Sequence, residues 1–204
     1  NQSSKQLADY IDRVRAATGA AKVDVIAHSQ GGLLVRHYLK FNGGGHRTDP
    51  SKNTVQRFVM LSAPNHGTTL LGYGALHRSL VDAGVNTLPL HAWLAGAAGT
   101  DQTVGSSVVK SVNRGRLTFP GIEYTAVASR YDQVVTPHTT TFLPARGVRN
   151  IELQRGCAGD TSDHLTITYS ARAISIAQRA LDSALPSSER TRLTCQDNPW
   201  LFSF

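Results

Sequence analysis

Nine consecutive residues, Asp24-Val25-Ile26-Ala27-His28-Ser29-Gln30-Gly31-Gly32, constrain this chain more than any other stretch. An apolar run over 23–27 enters Ser29, and an apolar run at helical spacing over 33–39 leaves after two glycines. Strand, sharp turn and helix in that order predict a nucleophile elbow, which lifts a serine hydroxyl clear of the end of a sheet. Such a turn brings strand and helix close together, so the positions two before and two after the serine must be small. Ala27 and Gly31 hold them. Reading A-x-S-x-G in place of G-x-S-x-G adds one methyl, which the steric argument tolerates.

A chain of 204 residues is expected to form one domain with a sizeable core. No apolar run is long enough to span a membrane, and no basic-then-apolar segment opens the chain, so we expect either a chain soluble as made or, in preference, a processed form. The formal charge of +7 rests on 16 Arg and 5 Lys that are scattered rather than clustered. With no nucleic-acid motif among them, no nucleic-acid partner is expected, and the basic surface reads as solvation.

Around the elbow the pattern is helix, strand, helix, strand, which is α/β order. Residues 5–18 place Leu7, Tyr10, Ile11 and Val14 on one helical face, with Ser3 and Gln6 as a capping box and Gly19 as the stop. A glycine-rich surface connection over 41–53, with no Gly-Lys-Ser/Thr after its glycines, leads to a second strand over 55–61. His66 follows it in a His-Gly pair and reads as a structural or pocket-rim residue. Between Thr68 and Val109 only Arg78, Asp82 and Asp101 are charged among many Leu, Gly and Ala. That stretch is expected to form a cap or lid-like insertion over an acyl pocket. Strands over 123–129 and 148–153 come next, then a final helix with Ile167, Ala171, Ile174, Ala177 and Leu181 on its inner face.

Asp132 stands just past the third strand, and His164 lies between the last strand and the last helix. Asp132 alone would read as a turn cap before Pro137. Ser29, Asp132 and His164 together give the chain order Ser, Asp, His, each at or beyond the end of a strand. The serine hydroxyl is a poor nucleophile until a neutral imidazole takes its proton, and a carboxylate fixes the imidazole tautomer. The backbone N–H of Gln30 would face the developing oxyanion. His28 is disfavoured as the base because it sits inside the elbow, and His138 is the next candidate after His164. Asp160 and Asp163 fall short of the roughly six to eight oxygen ligands that calcium takes, so no metal is assigned.

These stretches, together with Ser129 to Pro137, Asp163-His164 and Thr194-Cys195-Gln196-Asp197-Asn198-Pro199, resemble the secreted lipases of the α/β-hydrolase fold. The similarity is to the actinobacterial class 2 type and, more distantly, to the yeast enzyme Candida antarctica lipase B. It implies a mostly parallel sheet with helices on both faces, Ser29 as nucleophile, Asp132 as acid, His164 as base and Gln30 as oxyanion donor. It also implies hydrolysis of acylglycerol esters at an oil–water interface without an organic cofactor, and secretion. Two cysteines leave a bond or two buried thiols open; the resemblance implies that Cys157 and Cys195 pair. A polyester hydrolase or acyltransferase using the same triad, and a non-catalytic binding module, are the alternatives.

The four strands found make half of such a sheet, and only 28 residues precede Ser29. We therefore expect the 204 residues to be the C-terminal portion of a longer lipase. Its N-terminal strands would be supplied by a second polypeptide, lost, or left outside this numbering. The loop carrying the other oxyanion donor would be among them.

Overall fold

The computed structural model describes residues 2–69, 84, 86, 96–186 and 193–198. Four strands, β1 (Val23–His28), β2 (Val55–Leu61), β3 (Glu123–Ala128) and β4 (Val148–Glu152), lie side by side in chain order, every pair parallel. The principal helices are α1 (Gln2–Thr18), α2 (Gln30–Phe41), α3 (Ser107–Asn113) and α4 (Ala171–Leu181). Because all four strands run the same way, their carboxyl ends meet at one edge of the sheet, and the loops leaving them converge there.

β2 explains why the sheet is covered on both sides. It reads Val-Gln-Arg-Phe-Val-Met-Leu, a continuous apolar run after its second turn of the pleat rather than an alternating one. Phe58 and Met60 face a cluster with Ile11, Val35, Tyr38, Leu39, Tyr124 and Ala126, contributed by α1, α2 and β3. Val59 and Leu61 face the opposite cluster of Val127, Leu153, Ile176, Ala177 and Ala180, built by the neighbouring strands and α4. A period of two thus splits one strand between two cores. α3 adds a smaller contact, Val109 and Val112 against Leu33 of α2, and its first turn is capped by the Ser106 hydroxyl, which accepts from Val109 N at 3.1 Å.

Two helical expectations need correction. α1 already includes Gln2 and Ser3, so Ser3 and Gln6 form no capping box; Ser4 is buried inside the first turn instead. Ile11 packs into the core, but Tyr10 is 57% exposed, because the buried stripe is narrower than the run of apolar letters suggested. Gly19 does end the helix, with φ +69°. At the other end, Ile167 belongs to a separate 3-10 turn, Thr166–Tyr169. Ser170 then starts α4 afresh by accepting from Ala173 N at 3.0 Å. That restart rotates the inner face to Ala173, Ile176, Ala177 and Ala180 and leaves Ile174 43% exposed.

The cap expected at about 68–109 falls largely outside the described residues. The described part carries a helical turn, Ala97–Thr100, the start of α3, and a parallel bridge between Thr68 and Thr103.

Candidate active site

Ser29 sits between β1 and α2 with φ 53° and ψ −130°. A non-glycine residue rarely adopts a positive φ, and where one persists the surroundings over-determine it. Here the Ser29 N–H donates to Leu61 O at 2.9 Å, extending the β1–β2 ladder, while its carbonyl accepts from Gly32 N at 3.0 Å. Strand and helix therefore hold the turn from both sides.

The close approach lies one residue later than steric reasoning from the motif put it. A Cβ on Gly31 would meet the Ala27 Cβ at 3.5 Å, an ordinary contact, whereas one on Gly32 would overlap the Ala63 Cβ. Gly31→Ala should therefore be neutral or stabilising by up to about 1 kcal/mol through helix propensity. Gly32→Ala should destabilise by about 1–3 kcal/mol, because backbone or Ala63 must move. Denaturation midpoints of the two variants check this, and equal midpoints would contradict the packing described.

Asp132 follows β3 and serves two purposes at once. Oδ1 accepts from Val134 N at 2.9 Å and Val135 N at 2.7 Å, the turn-capping role. Oδ2 accepts from His164 Nδ1 at 2.9 Å, which assigns the imidazole proton to that nitrogen. The other ring nitrogen, Nε2, lies 2.9 Å from Ser29 Oγ and is left to accept the hydroxyl proton. Three connections, after β1, β3 and β4, are thus joined in one hydrogen-bonded line. Both His164 and Asp132 are buried.

The loops bearing the acid and the histidine are also tied to each other. Ser129 Oγ donates to Ser162 O, and Gln154 Nε2 donates to Ser129 Oγ at 3.0 Å and to Asp160 O at 2.8 Å. Asp160, fully buried, accepts from Ser162 N, the Ser162 hydroxyl and the Ser170 hydroxyl. Asp163 Oδ1 accepts from Leu165 N, Thr166 N and Thr166 Oγ1. The two carboxylates considered for calcium are thus engaged in holding loops. Among the described residues no group of three or more His, Cys, Asp or Glu could hold a metal.

The described histidines weighed against His164 have partners of their own. His138 lies in a 3-10 turn with Nε2 2.9 Å from Glu152 Oε2. His66 donates its backbone N–H to Thr140 O at 3.0 Å. Its pKa is lowered, first by burial and then by the Arg36 charge. His28 does reach the site: its Nε2 donates to His164 O at 2.7 Å. Sequence reasoning also passed over Arg36, almost wholly buried on α2. It donates to Asn65 O at 2.8 Å and Asn113 Oδ1 at 2.9 Å, with burial pulling its pKa to about 10.

Residues 1–136 match the family described as a domain of unknown function, DUF7379. The chain belongs to that family. Solved structures extend the comparison for this DUF7379 member. Lipase B of Aspergillus fumigatus superposes with a TM-score of 0.68 at 23% identity, over 93% of this chain and 43% of its own. A gene product of Listeria innocua gives 0.54 at 16% identity, over 91% and 68%. The mature lipase BlEst2 of Bacillus licheniformis gives 0.53 at 18%, over 81% and 67%. The chain thus spans less than half the length of the Aspergillus enzyme. With its parallel sheet, the DUF7379 chain has the α/β-hydrolase fold.

The lowered pKa values of three histidines and of Asp132 imply a two-step acid dependence of stability. Burial, then the neighbouring His164, lowers the pKa of His28; its carbonyl partner and Asp132 only partly oppose this. A histidine with a lowered folded pKa binds fewer protons folded than unfolded. Stability is therefore lost as pH falls from about 6.5 towards the lower folded value. His37 and His66 shift the same way and share that decline. For Asp132, burial acts to raise the pKa, but the His164 charge and hydrogen bonds from His164 and Val135 outweigh it, and the net shift is downward. Its contribution is present above about 3.9 and is lost as pH falls through the lower folded value. Denaturation free energies from about pH 8 to 3 should fall in these two windows, with His28→Gln removing part of the first. A flat profile between about pH 7 and 5 would contradict the assignment.

Proposed function

We propose that this chain carries the catalytic machinery of a serine carboxylester hydrolase acting on acylglycerol or related esters. The supporting observation is the line from Asp132 through His164 to Ser29, at 2.9 Å for each step. In the reaction proposed, His164 Nε2 takes the Ser29 hydroxyl proton as Oγ bonds to the ester carbonyl carbon. The carbonyl oxygen becomes an oxyanion facing the Gln30 N–H, and Asp132 stabilises the imidazolium. The imidazolium then protonates the departing alcohol oxygen as the ester C–O bond breaks, leaving an acyl-enzyme. Water, deprotonated by His164, releases the carboxylic acid and restores Ser29. No organic cofactor enters these steps.

The finer kinship with actinobacterial class 2 lipases and Candida antarctica lipase B belongs to this proposal. So does secretion, which the Cys157–Cys195 bond supports. β1 borders only β2 among the described strands, which supports further strands beside it as the source of a second oxyanion donor. A fluorophosphonate probe should label Ser29 in folded protein and fail in Ser29→Ala. Rates on soluble and emulsified esters of increasing chain length would then define the substrate. Absence of labelling in folded protein would favour a binding module instead.

A further inference from the structure

We propose that His28 is a positioning residue for the reaction: as a neutral donor it holds the backbone of His164, and with it the imidazole, in register with Ser29. The inference rests on the assignment of Ser29 and His164 made above. His28 directly precedes Ser29, so β1 fixes its backbone as firmly as that of the nucleophile. Its Nε2 donates to the carbonyl of His164 itself at 2.7 Å, and the two imidazole rings stand 4.9 Å apart and tilted by 42°. One side chain therefore links the nucleophile's strand to the histidine's loop across 136 positions of sequence.

The chemistry follows from the donor. A carbonyl oxygen accepts only, so Nε2 of His28 carries a proton in this arrangement. His164 must become positively charged during each acylation and each deacylation. A neutral His28 allows that charge, whereas a protonated one would set two cations against each other at ring contact. Asp132 is the other charged group acting on His28 and favours protonation, while burial and His164 oppose it. A proton on His28 should therefore lower activity as well as stability. The acid limb of kcat/KM should be steeper than a single protonation gives.

Three variants test this in the chain as it exists, each checked for folding by circular dichroism. His28→Ala should lower kcat by about 10- to 100-fold with KM changed less than about twofold, since a displaced base costs turnover rather than binding. His28→Gln places an amide N–H near the same point without a titrating group. It should recover most of the lost kcat at about pH 8 and show an acid limb of one proton instead of two. Wild-type kcat in folded His28→Ala would overturn the inference, and so would an unchanged acid limb in His28→Gln. Should His28→Ala fail to fold, the limb of His28→Gln decides alone. Ser29→Ala is assayed in parallel. If it retains turnover, the triad assignment falls; if it is inactive while folded His28→Ala is unimpaired, only the positioning role does.

Discussion

Ser29→Ala is expected to lower ester turnover by about 10⁴- to 10⁶-fold with little change in the unfolding midpoint, because in the proposed mechanism Ser29, His164 and Asp132 act as one proton-transfer unit. Among the described residues the Ser29 hydroxyl hydrogen-bonds to His164 Nε2, and its removal leaves the elbow backbone held by Leu61 and Gly32. His164→Ala should be as damaging to turnover. It should also cost stability, about 1–3 kcal/mol, since Asp132 Oδ2 would then lie buried without its donor. Asp132→Asn is expected to reduce turnover by about 10²- to 10⁴-fold. An amide at that position favours the tautomer with its proton on Nε2, the wrong nitrogen for accepting from serine. Steady-state rates with purified variants and matched denaturation curves check all three. A His164→Ala variant at wild-type rate would mean that another base serves, with His138 the first to examine.

The elbow was legible because its demands are local. One serine with positive φ between a strand and a helix needs small neighbours, and five adjacent letters carry that information. β2 and β3 were equally plain, since strands buried on both faces are long apolar runs. Loops were harder. Asp132 offered a turn-capping reading and a histidine-orienting one as rivals, and the structure satisfies both with its two oxygens. His28 was set aside for the very position that lets it reach His164 O, because a contact spanning 136 residues leaves no local mark. The same holds for Gln154 and Ser162, polar loop residues whose partners lie far off in sequence. The helix boundaries erred where a polar cap competed with periodicity: Ser170 restarts a helix that apolar spacing alone runs through.

Replacing both Cys157 and Cys195 by alanine is expected to destabilise the protein by about 3–4 kcal/mol. The bond closes a segment with a sequence separation of 38 residues, whose unfolded-state entropy would otherwise oppose folding. That segment contains His164, the 3-10 turn Thr166–Tyr169 and α4, so the cross-link acts on the loop that carries His164. The tail it anchors is bonded further: Asn198 N donates to Gly159 O at 3.2 Å, and Asn198 Nδ2 donates to Ser162 Oγ at 2.6 Å. Thr161 Oγ1 donates to Asn198 O at 3.0 Å, and Arg172 Nη1 donates to Thr194 O at 3.0 Å. Ser162 in turn receives Ser129 Oγ on its carbonyl, next to the acid loop. Loosening the tail should therefore reach turnover as well as stability, with kcat falling more than KM rises. Asn198→Ala, which leaves the disulfide in place, separates the two effects: it should cost about 1–2 kcal/mol and reproduce the kcat loss on a smaller scale. Unchanged kcat in both variants under conditions where both are folded would show that the tail braces the fold without bearing on His164.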